Sequence, residues 1–286
     1  MAQTPGNAAG KLAEIGGWNI EIVVQGYPGK SVCHGGLGWS TIALLRGEDR
    51  RILVDVGAFG VRRELKKQLN TRQVQADHIT DVVITHAHYD HSVNFTLFPN
   101  ATVWIGAAEL EWAQSQPPGF DPLPELYVRE LATSSRVRRI ADGEEFLPHL
   151  RAIASPGHTP GHLLFLLDSP PARVLFTGDA AKNRAELLSH DPEATDDRTA
   201  ARASIERIWS LWREVPGTIL IPGHDLSMRL SADGTPVYIG ERKAGIAAWF
   251  AESIEVMTEL DLCEGHDAST AEIATPTLRN ATLLRT

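Results

Sequence analysis

The chain has 286 residues, 43% of them apolar and 22% charged, which fits a compact globular protein and excludes disordered or collagen-like chains. Its formal net charge of −9, from 36 acidic and 27 basic residues, argues against nucleic acid as a partner. Two cysteines, Cys33 and Cys263, are too few for a disulfide framework; no basic-then-apolar leader is visible, and no apolar run approaches the ~20 residues that span a bilayer, so a cytoplasmic protein is expected.

Along the chain, Trp18-Asn-Ile-Glu-Ile-Val-Val alternates with period two, as a half-buried strand does, and strands follow at Thr41-Ile-Ala-Leu-Leu and Arg51-Ile-Leu-Val-Asp-Val. Residues 61–69 read as a helix, Asp81-Val-Val-Ile-Thr as a short buried strand, Thr102-Val-Trp-Ile as another, and a helix is expected from Ala107 to Gln114. The interval 116–135, with Pro-Pro-Gly and Pro-Leu-Pro, suits a lid-like insertion. Arg136-Val-Arg-Arg is the densest basic patch and reads as a solvated strand edge. Strands recur at 150–154, 162–167, 173–177 and 217–221, with a long helix near 197–213. A last helical segment is expected near 241–262, from the spacing of Ile246, Trp249, Phe250, Ile254 and Met257. No fixed repeat or linker divides the chain, so residues 1–286 read as one domain of two sheets covered outside by helices.

Chemistry is concentrated at strand ends. Residues 85–91 read Thr-His-Ala-His-Tyr-Asp-His, three histidines and an aspartate in seven positions. His86 and His88, two apart on extended backbone, present their rings to one side, and Asp90 and His91 lie in the turn beyond. Crowded imidazoles are awkward in a core, and a cation would resolve the crowding. Further ligands could come from three other strand-end loops, Ser155-Pro-Gly-His158-Thr-Pro-Gly-His162, Phe176-Thr-Gly-Asp179 and Ile221-Pro-Gly-His224-Asp225. Proline and glycine fix such turns, and borderline metals such as zinc favour mixed imidazole and carboxylate ligands.

This ordered set resembles the metallo-β-lactamase superfamily of metal hydrolases over residues 18–226. The resemblance implies an α/β protein with a four-layer αββα sandwich of two mixed sheets. It implies two divalent ions, zinc first, with iron, manganese or cobalt compatible. His86, His88 and His158 would hold one ion, Asp90, His91 and His224 the second, and Asp179 would bridge them. Asp55, in Leu-Val-Asp-Val-Gly, would support the metal loop. Such a pair lowers the pKa of a bridging solvent toward ~7, so hydrolysis without a nucleophilic serine or cysteine is expected, with Asp90 or Asp179 relaying the proton. Cys33 then reads as a small buried residue.

The subfamily is read from departures. Class B β-lactamases usually place cysteine where Asp179 stands, and flavodiiron relatives replace a loop histidine by glutamate. Glyoxalase II-like thioesterases share the ligands but usually carry a basic tail not found here. Quorum-quenching lactonases share the ligands and the HTPGH turn, with a tyrosine three residues after the bridging aspartate. That position is Lys182, which could serve as a catalytic donor to the developing oxyanion. A lactone is therefore the leading substrate, with thioester, amide or organophosphate hydrolysis as alternatives. A mononuclear iron persulfide dioxygenase is a further alternative, disfavoured by the second set Asp90, His91 and His224. Trp112, Phe120, Tyr127, Trp249 and Phe250 hint at a small-molecule substrate with a hydrophobic acyl or aromatic part, His34 could reach the pocket, and a homodimer is compatible with all of this.

Overall fold

The computed structural model describes residues 11–31, 36–170, 172–193, 195–263 and 279–280. By their contacts they form two units, Met1–Ile239 and Gly240–Thr286. Cys33, His34 and His266 lie outside the described residues.

The first unit is built on two seven-stranded sheets. Strands β1 (Lys11–Ile15), β2 (Trp18–Val24), β3 (Ile42–Gly47), β4 (Arg50–Val54), β5 (Asp81–Ile84), β6 (Thr102–Gly106) and β7 (Val137–Ile140) lie side by side in chain order. β1 to β4 pair antiparallel and β4 to β7 parallel. The second sheet runs through β8 (Glu145–Leu147), β9 (Leu150–Ala154), β10 (Leu163–Ser169), β11 (Ala172–Gly178), β12 (Ile219–Pro222), β13 (Met228–Leu230) and β14 (Pro236–Tyr238), parallel only between β11 and β12.

A parallel pair needs a crossover, and the helices sit in those crossovers. α1 (Arg62–Thr71) joins β4 to β5; the short α2 (Tyr89–Ser92), α3 (Ala107–Ser115) and α4 (Glu125–Thr133) follow; α5 (Arg184–Ser189) and α6 (Arg198–Glu214) join β11 to β12. In α6, Ala201, Ile205, Ile208, Trp209 and Trp212 recur at helical spacing and are buried. Each large side chain so buried contributes ~1.5–3 kcal/mol relative to exposure. The Asp197 carboxylate accepts from the Thr199 and Ala200 amides and starts the helix, a cap worth ~1 kcal/mol.

Strand alternation sorts the core into three layers. Ile20, Leu45, Ile52 and Val83 of the first sheet meet Phe165, Phe176 and Ile221 of the second between the sheets. The intervening Leu44, Leu53 and Val82 turn outward onto Leu65, Leu69, Leu110 and Val128 of the helices. Leu164, Leu166, Leu175 and Leu220 turn outward onto Ile205, Ile208, Trp209 and Trp212. The result is the four-layer αββα sandwich expected from the sequence.

The Gly240–Thr286 unit corrects one expectation. Instead of a helix near 241–262, it holds β15 (Gly245–Ala248), β16 (Thr258–Asp261) and β17 (Arg279–Asn280) in an antiparallel sheet, with Ile246 opposite Leu260. Spacing alone does not separate helix from strand in a short apolar run, and Gly245 costs a helix ~1 kcal/mol. Trp249 (60%), Phe250 (72%) and Ile254 (88%) are exposed, so the apolar stripe that suggested a packed helix is not buried among the described residues. No helix among the described residues is long and apolar enough to cross a membrane.

Candidate metal centre

The four loops singled out in the sequence converge at one end of the sandwich, following β5, β9, β11 and β12. Their donor atoms form three overlapping groups: His86, His88 and His158; His86, His91 and Asp179; Asp90, His91 and His224, with the atoms of each within 4.8 Å of one another. His88 Nδ1 and His158 Nε2 are 3.0 Å apart, and His91 Nε2 and His224 Nε2 are 3.3 Å apart. Asp179 lies between these pairs. Its Oδ2 is 3.3 Å from His158 Nε2, and its Oδ1 is 3.2 Å from His91 Nε2 and 3.3 Å from His224 Nε2. Asp90 Oδ2 is 3.2 Å from His224 Nε2, on the far side of the second pair.

These atoms fit a cation better than one another. His86 Nε2 and Asp179 Oδ1 are buried without a hydrogen-bond partner among the described residues, a costly arrangement unless another acceptor of their lone pairs is present. Nitrogens bound tetrahedrally at ~2.0–2.1 Å from zinc stand ~3.4 Å apart, close to the separations seen here.

Backbone and hydrogen bonds aim several of the candidate ligands. Asp55, just beyond β4, holds a left-handed backbone (φ +53°), which is unusual for a residue with a side chain and persists where its surroundings demand it. Its Oδ1 accepts the Thr85 amide (2.9 Å), while its Oδ2 takes Thr85 Oγ1 (2.9 Å) and His91 Nδ1 (2.8 Å). That bond fixes the His91 tautomer and leaves Nε2 facing the cluster. His162 Nδ1 lies 2.7 Å from Ser155 Oγ, and its Nε2 accepts the Asp179 amide at 3.1 Å, so this histidine positions Asp179. The His224 amide donates to the Lys182 carbonyl (2.8 Å). Next to it, Asp225 accepts the Tyr238 hydroxyl and the Arg184 amide. Gly178 (φ +47°) makes the turn into Asp179, and at Gly223 an added Cβ would meet Asp179 Oδ1 at 2.2 Å.

Burial lowers His86 and His158 well below the ordinary imidazole value, His88 to about 4 and His162 to about 3. Neutral imidazoles are the form that binds metal. Burial also acts against charge on His91 and His224, but the carboxylates of Asp179 and Asp90 outweigh it, holding His91 well above its usual value and His224 raised to about 9. Asp179 is held well below the carboxylate range by His224, His91 and His158, which overcome its burial.

Two expectations are refined. Lys182 Nζ donates to the Glu193 carbonyl at 2.9 Å and is only 17% exposed, so it is a bonded side chain at the rim. Trp112 stands 6.3 Å from the His88 ring and meets Phe120 edge-on at 6.0 Å, whereas Tyr127 contacts Phe59 and Phe95. Sequence reasoning missed Glu109, whose one visible signal is an acidic residue beside Leu110 and Ala113 on the buried face of a helix. Burial pushes it up to about 7, against bonds from Thr159, Ala87 and Gly161.

An αββα sandwich with a histidine–aspartate cluster at the strand ends defines a class of metal-binding proteins. The pattern of the metallo-beta-lactamase superfamily matches residues 35–224, and the chain belongs to that superfamily. Among similar proteins are an N-acyl homoserine lactonase of Bacillus sp, 29% identical over 161 residues (55% of this chain, 60% of that protein), and a hydroxyacylglutathione hydrolase of Pseudomonas syringae, 25% identical over 182 residues (61% of each). The aligned part thus spans about 60% of the lactonase's length. The fold is shared with the dizinc quorum-quenching lactonase AidC, solved with a product bound (TM-score 0.67, 17% identity, 82% of this chain and 99% of that one). It is shared also with the hydrolase AbOPH (TM-score 0.64, 16% identity, 83% and 99%).

Proposed function

We propose that this chain is a two-cation hydrolase of carboxylic esters, with a lactone of the N-acyl homoserine type as its leading substrate. The observation that carries the reading is Asp179, whose two oxygens face separate groups of histidines 3.2 and 3.3 Å away. In this reading His86, His88 and His158 hold one ion, Asp90, His91 and His224 the other, and Asp179 both. When bound, two such ions, zinc by preference, lower the pKa of water toward ~7 and polarise the carbonyl that is attacked.

The chain's own residues do the rest. Asp90, the most exposed of the seven side chains at 16%, takes the proton of the attacking water and returns it to the ring oxygen as the acyl C–O bond breaks, giving a hydroxy acid. Lys182, in exchange for its bond to the Glu193 carbonyl, donates to the oxyanion. Trp112 and Phe120, beside His88, receive the apolar part of the substrate, and residues 116–135 form a lid over it, held to the metal loop where the Tyr89 amide donates to the Pro122 carbonyl (3.2 Å). The lactonase relatives support a lactone, and the complete second group, Asp90, His91 and His224, disfavours a single-iron oxygenase.

The test is proton release by zinc-loaded protein from a medium-chain acyl-homoserine lactone, with Asp179→Ala as control. Turnover that vanishes in the variant is expected. No turnover with two ions bound would discard the lactone and favour thioesters, the class suggested by the hydroxyacylglutathione hydrolase relative.

A further inference from the structure

Glu109 is a fully buried carboxylate in the first turn of α3, on an element that supplies no candidate ligand. Its Oε1 accepts the Ala87 amide (2.8 Å), the peptide between His86 and His88. Its Oε2 accepts the Thr159 hydroxyl (2.6 Å), one residue after His158, and the Gly161 amide also donates to the carboxylate. The approach is close, since an added Cβ at Gly161 would meet the Glu109 nitrogen at 2.1 Å. One side chain therefore ties the loop after β5 to the loop after β9. These loops belong to different sheets.

The chemistry of the site selects a carboxylate. Three donors converge on Glu109 and favour its charged form against the burial that raises its pKa; ionised, it is acceptor-only, with lone pairs enough for all of them. Glutamine would turn an NH2 toward at least one N–H and leave it unmatched. No lysine or arginine forms an ion pair with Glu109 among the described residues, so the cost of burying it is offset by these three bonds and not by a neighbouring charge.

We infer that Glu109 is a positioning residue that holds the His88 and His158 loops in register, setting the affinity and geometry of the ion these two histidines share with His86. The inference rests on the proposed ligand set and adds a member that touches no ion. Partners one step removed from a metal typically change its affinity 10–100-fold when altered, and a strap on two ligand loops at once falls in that range.

The experiment compares the full-length protein with Glu109→Gln, Thr159→Val and, as control, Glu111→Gln on the exposed side of α3. Zinc affinity is read by competition with a chromophoric chelator, and ligand geometry by the visible d–d absorption of the cobalt(II)-saturated protein. We expect Glu109→Gln to bind its weaker zinc at least ~10-fold less tightly and to shift the cobalt bands at saturation. Thr159→Val should do so by a smaller factor, and Glu111→Gln should match the parent. Because the cobalt bands are recorded at saturation, a general loss of stability would not move them. Parent-like affinity and bands in Glu109→Gln would overturn the inference; should that variant not fold, the same result in Thr159→Val would do so. Failure of the parent itself to bind zinc or cobalt would instead sink the proposed ligand set, and this inference with it.

Discussion

The two sheets furnish the candidate centre in different ways. The first sheet gives four residues, His86, His88, Asp90 and His91, from a single loop after β5, whereas the second gives His158, Asp179 and His224 from three separate strand ends. The compact loop is aimed chiefly by side chains, Asp55 on His91 and Glu109 on Ala87. The dispersed residues are placed by the parallel β11–β12 pair and by the bonds that the Asp179 and His224 amides make to the His162 ring and the Lys182 carbonyl. The contiguous candidate loop thus answers to carboxylates outside it, while the dispersed residues depend as well on the register of the second sheet.

That contrast can be broken most severely at Asp179, where the two groups meet. Asp179→Ala should lose at least ~100-fold in turnover and in affinity for one or both ions, more than any change one step removed, and metal analysis after dialysis against a chelator checks it. Next comes Asp55→Asn, which spoils acceptance from either Thr85 or His91. It should weaken one ion ~10–100-fold and leave the other tightly held, a stoichiometry falling from two toward one.

His162→Gln probes the dispersed side by pH. Burial holds the folded imidazole at about 3 against 6.5 ordinarily, so between these values the unfolded chain carries a proton the folded one lacks. Stability contributed by the neutral ring is present above about pH 6.5 and is lost as the pH falls toward about 3, at ~1.4 kcal/mol per pH unit at most. In the metal-free variant, urea unfolding across this range should show a slope shallower by about one proton; an unchanged slope would refute the assignment. The smallest effect is expected at Tyr238→Phe, which removes one bond to Asp225 beside His224 and should change zinc affinity less than ~threefold.

The same contrast explains what was legible in the sequence. His86, His88, Asp90 and His91 are neighbours in the chain and read as a cluster directly. His158, Asp179 and His224 stand out because proline and glycine mark the turns that carry them, and their convergence is visible only in the fold. Asp55 was legible as a strand-end carboxylate. Glu109 was not, because its partners, Ala87, Thr159 and Gly161, are backbone and hydroxyl groups with no sequence signature. At Ile246–Met257 the spacing pointed to a helix, but Ile246 pairs in a strand and the residues from Trp249 to Met257 connect it to the next, with Trp249, Phe250 and Ile254 exposed, and burial is what makes such a stripe decisive.

Gly223 has a consequence for altering this protein. Any side chain there would intrude on the Asp179 oxygen, so the position is closed to variation by shape, although glycine contributes no chemistry. Libraries meant to test the proposed substrate range are best placed at Trp112 and Phe120, the aromatic pair beside His88. The glycine floor beneath the carboxylate marks the limit of what selection can explore there.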